Sequence, residues 1–407
     1  MSAIIDRSTG SAGAARLWTG DFTLYFGARS VSMLGDAMMP VAVGLGVGAI
    51  YGVAGIGYAL SVYTTAFLVF VLFGGVFADR IGARTMMVGA DLVRVGNQGA
   101  IAIAFFAGAP PMWLLLVASF VSGTAAAMFQ PGVNGMIPLV AKDPQRANAT
   151  LKVADAATQL AGPALAGLLI ALTNAGTVFT VDATTFLISA VCLGLIRLAP
   201  KERDRKPSTI RLDLRRGWQE FRARTWMWSV IVIWLIFGML VLGPYFPLDS
   251  RLVGERLGDA AFGWVMAGLG AGTIIGGLGA IRFRPRRPLA AGGVAIAGFA
   301  CIPLPVALEA PLPLLIAGHL LGGCALAFWS VMWATSVQTQ VSLEVLNRVT
   351  AYEVAGSIAG TAVGQALVGP VSSVVDPRTL LFISSGACVT VCAALLMVGP
   401  IRRLQRV

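Results

Sequence analysis

Charge is what this sequence has least of. A soluble chain devotes about a quarter of its residues to Asp, Glu, Lys and Arg. Here 12% of the 407 residues are charged, 57% are hydrophobic and the mean hydropathy is +0.80. Histidine is nearly absent, with His319 alone, and no GxxxxGK[ST] run occurs. The scarcity of histidine, with no helical pair of metal ligands and no activated nucleophile, argues against an enzyme. The missing phosphate loop argues against ATP-driven work by the chain itself. Cysteine is sparse as well: Cys192, Cys301, Cys324, Cys388 and Cys392 are scattered through apolar stretches with no metal-like cluster beside them. They read as reduced thiols packed as small hydrophobes, and no metal or cofactor is expected. The first 20 residues carry Asp6, Arg7 and Arg16 without an apolar core, so no cleavable signal peptide is expected.

What is present in abundance is apolar length. Stretches of about 20 apolar residues, enough to cross a bilayer, recur from Phe22 almost to the end. About twelve spans are predicted, starting near Phe22, Ile56, Arg84, Met112, Ala147, Gly176, Met227, Ala260, Leu289, Leu312, Val349 and Thr379. The net charge of +11 does not point to nucleic acid, because the basic residues gather between spans and do not interleave with base-stacking aromatics. They read as topology signals and as contacts to lipid headgroups. Alternate loops differ sharply: one set holds Arg80, Arg84, Lys142, Arg146, the stretch 201–224, Arg282 to Arg287, Arg348 and Arg402 to Arg406. The other holds Arg251, Arg256 and Arg378 against Asp249, Glu255, Asp259, Glu309 and Asp376. By the positive-inside rule the first set and both termini are cytoplasmic. Arginine far outnumbers lysine, and alanine and glycine are plentiful, which suits a GC-rich bacterial gene and a bacterial inner membrane.

The chain divides into a cytoplasmic segment 1–20, a six-helix half 21–198, a linker 199–226, a second half 227–401 and a basic tail 402–407. The linker holds nine basic and four acidic residues around Leu212, Leu214, Trp218 and Phe221, a pattern for an amphipathic helix on the inner leaflet. A shift of 202 residues places Gly74-Gly75 on Gly276-Gly277, Arg80 on Arg282, Arg84 on Arg286, Arg146 on Arg348, Gly162 on Gly364 and Gly167 on Gly369. This is the signature of an internal duplication of six helices. Ile281 stands where the first copy has Asp79, so only one copy keeps the acid.

Ionisable groups inside spans are costly and mark functional candidates. Arg29 and Asp36 lie on one face of helix 1, and Asp36 has no partner within a turn, which makes it the first candidate for binding a proton or a cation. Asp91 with Arg94 in helix 3, and Lys152 with Asp155 in helix 5, are three apart and read as buried neutralising pairs, with Asp155 the second proton-coupling candidate. Asp182 belongs to the outer part of helix 6. His319 is either a packing residue or a proton carrier, and Glu353 near the inner end of helix 11 reads as structural. Gln130, Asn134, Gln159, Trp329, Trp333 and Arg29 are the candidates for lining a substrate cavity. Glycines at Gly268, Gly272 and Gly276, and at Gly356, Gly360 and Gly364, recur every four residues and let helices approach closely.

Gly75, Asp79, Arg80, Gly82 and Arg84 resemble the loop between the second and third helices of the major facilitator superfamily, with Ala83 replacing one basic position. Gly162-Pro163 and Gly167 resemble the antiporter motif of its drug exporters, with Thr158 and Ala166 in place of two glycines. Leu34-Gly35-Asp36, Phe129-Gln130-Pro131 and Ala147-Asn148-Ala149 are similar to the branch that contains macrolide efflux proteins and the enterobactin exporter. The resemblance implies an all-α fold of twelve transmembrane helices in two pseudo-symmetric halves around a central cavity. It implies a monomer working by alternating access, with protons, a small-molecule substrate and the bilayer as partners. It implies proton-coupled export of an amphipathic drug, antibiotic or siderophore-like product, hence antibiotic resistance. Uptake of a small solute, or a non-transporting sensor or scaffold, remains the alternative. The run from Gly75 to Arg84 then reads as a conformational latch, with Asp79 capping a neighbouring helix.

Overall fold

A computed structural model describes residues 18–405 apart from 142, 198–217, 220 and 342, and within its helices not the side chains of 72, 74–76, 78–80, 134, 144, 145, 149, 338, 343–352 and 354. Most of segment 1–20 and of the linker, the end of the tail, and the side chains of Gly75, Asp79, Arg80 and Asn134 therefore lie outside the described residues.

Among the described residues every regular element is helical. The first six runs are α1 (Gly20–Ala42, extended by a π-helical turn Val43–Val47), α2 (Gly48–Ile81), α3 (Ala83–Ala107), α4 (Met112–Val140), α5 (Pro144–Leu172) and α6 (Ala175–Leu195). Then come α7 (Thr225–Phe237, a π-helical turn Gly238–Leu242, and Gly243–Leu257), α8 (Asp259–Arg282) and α9 (Pro288–Ala295, continued by Ile296–Cys301 and Pro303–Ala307). The chain ends with α10 (Leu312–Gln340), α11 (Leu343–Ser372), α12 (Pro377–Met397) and the short α13 (Gly399–Arg403). Among the described residues nine stretches are long and apolar enough to cross a membrane. One of them, Gly20–Val71, holds two passes because Gly52 (φ 61°) breaks the helix. Helices α3 and α11 fall outside the nine. The second pass begins after Gly52, close to the start near Ile56 that the sequence predicts. Exposed Ile103, Trp113, Val153, Leu172 and Val374 give the bundle the apolar exterior that lipid requires. The protein is a multi-pass membrane protein.

Local chemistry sets several ends. Thr19, Asn174 and Asp376 cap α1, α6 and α12 by accepting from the backbone N–H groups of Phe22, Thr177 and Thr379. Between α2 and α3 the chain turns at Gly82, whose φ of 99° a side chain rarely adopts. Two residues on, Arg84 Nε donates to the Leu193 carbonyl at 3.0 Å and its Nη2 to the Gly194 carbonyl, which ties the start of α3 to the carbonyl-rich end of α6. Gly82→Ala is expected to cost about 1–3 kcal/mol, read as a lowered Tm in detergent. A Tm equal to that of the parent would show that the turn is not strained.

Glycine sets the packing. Gly268, Gly272 and Gly276 of α8 lie against Ile316, Leu320 and Cys324 of α10, and Gly356, Gly360 and Gly364 of α11 against Ile231, Leu235 and Met239 of α7. The contacts repeat with the sequence: Gly162 packs on Ala37 in the first half, and Gly364 on Met239, each residue shifted by 202, in the second. The halves meet through α2–α11 and α5–α8. Pro163 has no N–H, so the Gln159 carbonyl loses its helical partner, and Gly270 of α8 packs over that carbonyl. Gly167 lies against Gly263 of α8, and Gly369 of α11 against Ala54 of α2. Ser61 donates to the Ala362 carbonyl at 2.9 Å, Thr64 to Gln365 Oε1 at 2.9 Å, and Arg251 to the Gly48 carbonyl at 3.0 Å. All of these joints lie towards the start of α2 and α8 and the end of α5 and α11, the end of the bundle away from the basic loops.

Candidate functional site

A cavity of about 260 Å³ lies within the first half, bounded by α1, α2, α3, α4 and α6. Its wall is largely apolar (Met39, Leu60, Phe67, Ile101, Phe179, Phe186), with Asp36, Tyr63, Arg94, Gln98, Ser119, Ser122 and Gln130 as polar points. All these residues precede α7, so this cavity belongs to the first half.

Two facing stripes build its charged side. Asp91, Arg94 and Gln98 follow the helical spacing along α3, and Asp182, Thr185 and Ser189 do so along α6. Antiparallel packing matches them: Ser189 donates to Asp91 Oδ2 at 2.6 Å and Gln98 Nε2 to Asp182 Oδ2 at 2.7 Å. Asp91 and Asp182 are fully buried, and the second oxygen of each has no hydrogen-bond partner. Gly35 explains the fit of α1 against α6, since a Cβ there would collide with the Asp182 carboxylate and the Thr185 hydroxyl.

The pairing differs from expectation. The ion pair of Arg94 is not to Asp91, on which it acts electrostatically, but to Asp36: its Nη1 lies 3.8 Å from Asp36 Oδ1, and its guanidinium sits over the rings of Phe186 (4.7 Å) and Phe129 (5.3 Å). The expected lack of a partner for Asp36 reflected only its own helix; the partner comes from α3. Asp36 is about half exposed to the cavity, whereas Arg94 is 6% exposed. Pro40 lacks the N–H that the Asp36 carbonyl would accept in a helix, and the π-helical turn of α1 follows directly. Arg29 is buried over Phe129 at 5.1 Å, with its Nε making no hydrogen bond. Asp36 and Arg94 lie within electrostatic reach of Asp182, and Arg94, Asp36 and Arg29 within reach of Asp91. Away from their ends, α1, α2, α3, α4 and α6 thus hold two guanidiniums and three carboxylates.

The remaining candidates lie elsewhere. Lys152 and Asp155 do pair, at 3.5 Å, but Lys152 is 84% exposed, so this is no buried pair, and α5 keeps it away from the cavity. Gln159 is exposed beside the α5–α8 contact. Trp329 and Trp333 are buried in an aromatic stack with Trp234 in the second half, and Trp333 Nε1 donates to Glu353 at 2.7 Å. They lie in the core of the second half and are not part of the wall of this cavity. Gln130 lines the cavity; Arg29 lies behind it. Gln98 and Tyr63 were not singled out, and Asp182 was named as an intramembrane charge without a place in the site. The i, i+3, i+7 polar spacing in α3 and α6 was the signal for Gln98 and Asp182; Tyr63 had none. Asp249, counted as a loop charge, is fully buried in α7.

Residues 25–352 match the family model described as Major Facilitator Superfamily. The chain is 24% identical over 200 residues to macrolide efflux protein A of Enterococcus faecalis, an alignment that covers 47% of this chain and 60% of that protein. It is 23% identical over 193 residues to macrolide efflux protein A of Streptococcus pyogenes, covering 45% and 46%. The chain thus spans about half the length of these relatives. It is 23% identical over 316 residues, 74% of each chain, to the multidrug efflux pump Tap of Mycobacterium tuberculosis. Among solved structures, the nucleoside transporter NupG superposes with a TM-score of 0.76 at 13% identity over 92% of this chain and 98% of that one.

Proposed function

Because the chain belongs to the major facilitator superfamily, whose helical fold it has, we propose that it is a proton-coupled exporter of an amphipathic, cationic drug or natural product, working by alternating access. The observation that carries this reading is the charge count of α1, α3 and α6 at and behind the cavity wall. Two arginines against three aspartates leave one surplus negative charge in an apolar interior, where an uncompensated charge is costly. A proton on one carboxylate restores neutrality, and so does a cationic ligand beside Asp36. The two are mutually exclusive, and mutual exclusion is what an antiporter needs. Asp36 is the exchange point, since it faces the cavity. The apolar wall takes the ligand's hydrocarbon, and Gln98, Gln130 and Tyr63 supply polar anchors. The efflux names of the relatives agree with this direction.

Positive loops on the cytoplasmic side put both termini in the bacterial cytoplasm. The joined ends of α2, α5, α8 and α11 then face outward, and the conformation is closed to the outside. The protein is taken to act as a monomer. The test uses proteoliposomes with ethidium as the cationic probe. Accumulation is expected only when the lumen is acid, because protons must leave as ethidium enters, and it should vanish with an uncoupler. Accumulation that ignores the pH gradient would overturn the reading. A requirement for an alkaline lumen would favour the second reading, proton-linked uptake of a small solute. The cavity volume favours that second reading, since it lies just below the roughly 300–1,000 Å³ of drug-sized sites.

A further inference from the structure

The second half buries an acid and a base that this cycle leaves unused. Asp249, in the Gly243–Leu257 segment of α7, and His319, in α10, are both fully buried, with Nε2 3.1 Å from Oδ2. The other ring nitrogen, Nδ1, lies 2.9 Å from the Leu315 carbonyl oxygen. A carbonyl only accepts, so Nδ1 carries a hydrogen. A bare Nε2 facing a carboxylate would then set two lone pairs against each other at 3.1 Å. One proton must therefore lie between them, as imidazolium with carboxylate or as neutral imidazole with carboxylic acid. Either form is neutral overall, as complete burial demands. Asp249 Oδ1 has no hydrogen-bond partner, so nothing else compensates the acid if that proton leaves.

The pair sits beside the joint between the halves. Ser250, the next residue, packs on Gly44 in the π-helical turn of α1, Gly254 packs on Leu45, and Arg251 donates to the Gly48 carbonyl. Just before Asp249, α7 is interrupted by its own π-helical turn and by Pro244 and Pro247. The Leu240 carbonyl, which Pro244 deprives of a helical partner, accepts instead from Ser384 Oγ at 2.8 Å. Such a segment can bend when α1 withdraws. Among the described residues, the charged and titratable groups around it are Tyr245 on α7 itself, Arg251 paired with Glu255, Arg256 on the Ala310 carbonyl, Glu309 paired with Arg378, and half-buried Asp259 at the start of α8. Of these, Tyr245 acts electrostatically on Asp249, while Arg251 pairs with Glu255 and Glu309 with Arg378.

We infer that Asp249 and His319 form a second proton-binding site, occluded with one proton while the outer ends of the halves are joined and exchanging it with the outside when α1 draws away from α7. This rests on the exporter reading above and adds a port through which the driving proton enters. The cycle then uses two acids, Asp249 in the second half and Asp36 in the first.

The lone histidine makes the test direct, because ¹⁵N-histidine labelling of the full-length protein gives one imidazole to observe. The signal is expected to show Nδ1 protonated and a proton shared between Nε2 and Asp249. In Asp249→Asn the Nε2 proton should be lost. A wild-type imidazole with a bare Nδ1, or with no proton shared at Nε2, would overturn the inference even if the variants fail to fold. In proteoliposomes, Asp249→Asn and His319→Gln should lose accumulation of ethidium driven by an acid lumen yet keep ethidium counterflow, which moves no net proton. Variants that accumulate ethidium as the parent does would overturn the inference and leave the exporter reading standing. Absence of gradient-driven accumulation in the parent would remove both.

Discussion

Arg94→Met is expected to lose most of the folded protein, with the remainder melting far below the parent. The guanidinium is almost fully buried, paired with Asp36 and placed over two aromatic rings, and Asp91 and Asp182 lie within its electrostatic reach. Removing one partner of a buried pair leaves the other charge uncompensated, at a cost of about 3–5 kcal/mol. Against a total stability of about 5–15 kcal/mol, that decides whether the fold survives. The check is size-exclusion recovery and Tm in detergent, with Arg94→Met/Asp36→Asn as the second corner of the comparison. The double variant removes one charge of each sign and should recover part of the loss, a non-additivity expected of residues in contact. A single variant as stable as the parent would show that the cluster carries no charge that needs Arg94.

Asp36→Asn is expected to have the opposite profile, with folding retained and coupling lost. Asp36 is half exposed to the cavity, and the buried Arg94 that it pairs with keeps Asp91 and Asp182 within electrostatic reach, so neutralising Asp36 leaves the guanidinium compensated. The charge count then becomes two against two, balanced without either a proton or a ligand. Accumulation of ethidium driven by an acid lumen should therefore fall to the level of empty liposomes, and ethidium affinity should drop because the facing carboxylate is gone. Gradient-driven accumulation by Asp36→Asn equal to that of the parent would remove Asp36 from the exchange. Asp155→Asn serves as the contrast, because Lys152 beside it is exposed and the pair lies on α5 away from the cavity; its gradient response should persist.

The helical membrane fold was legible in the sequence for simple reasons. Scarcity of charge and the recurrence of apolar stretches long enough to span a bilayer are properties of the chain read in order. The repeat at 202 residues was legible too, and its glycines at Gly162 and Gly364 recur as equivalent helix contacts on Ala37 and Met239. Gly82 and Arg84 stood out as a motif before their reasons were visible, a left-handed turn and a clamp on the end of α6. Periodicity reaches only along one helix, however. It paired Asp91 with Arg94 and left Asp36 alone, because residues three apart are neighbours on a helix whatever else is nearby. The same blindness put Trp329 and Trp333 in a cavity: aromatic bulk in an apolar helix has the same spacing whether it faces a core or a ligand.

By itself, then, the sequence determined the solvent the protein lives in, the places where the chain must turn and the repeat that makes two halves, because each depends on the order and spacing of residues along the chain. Tertiary structure alone decided who meets whom. Arg94 reaches Asp36, Ser189 reaches Asp91, Gln98 reaches Asp182, and His319 reaches Asp249 across 70 residues of sequence. A buried charge is satisfied by whichever group the packing of another helix brings within about 4 Å, and that choice is fixed by how helices cross, not by the sequence around either partner.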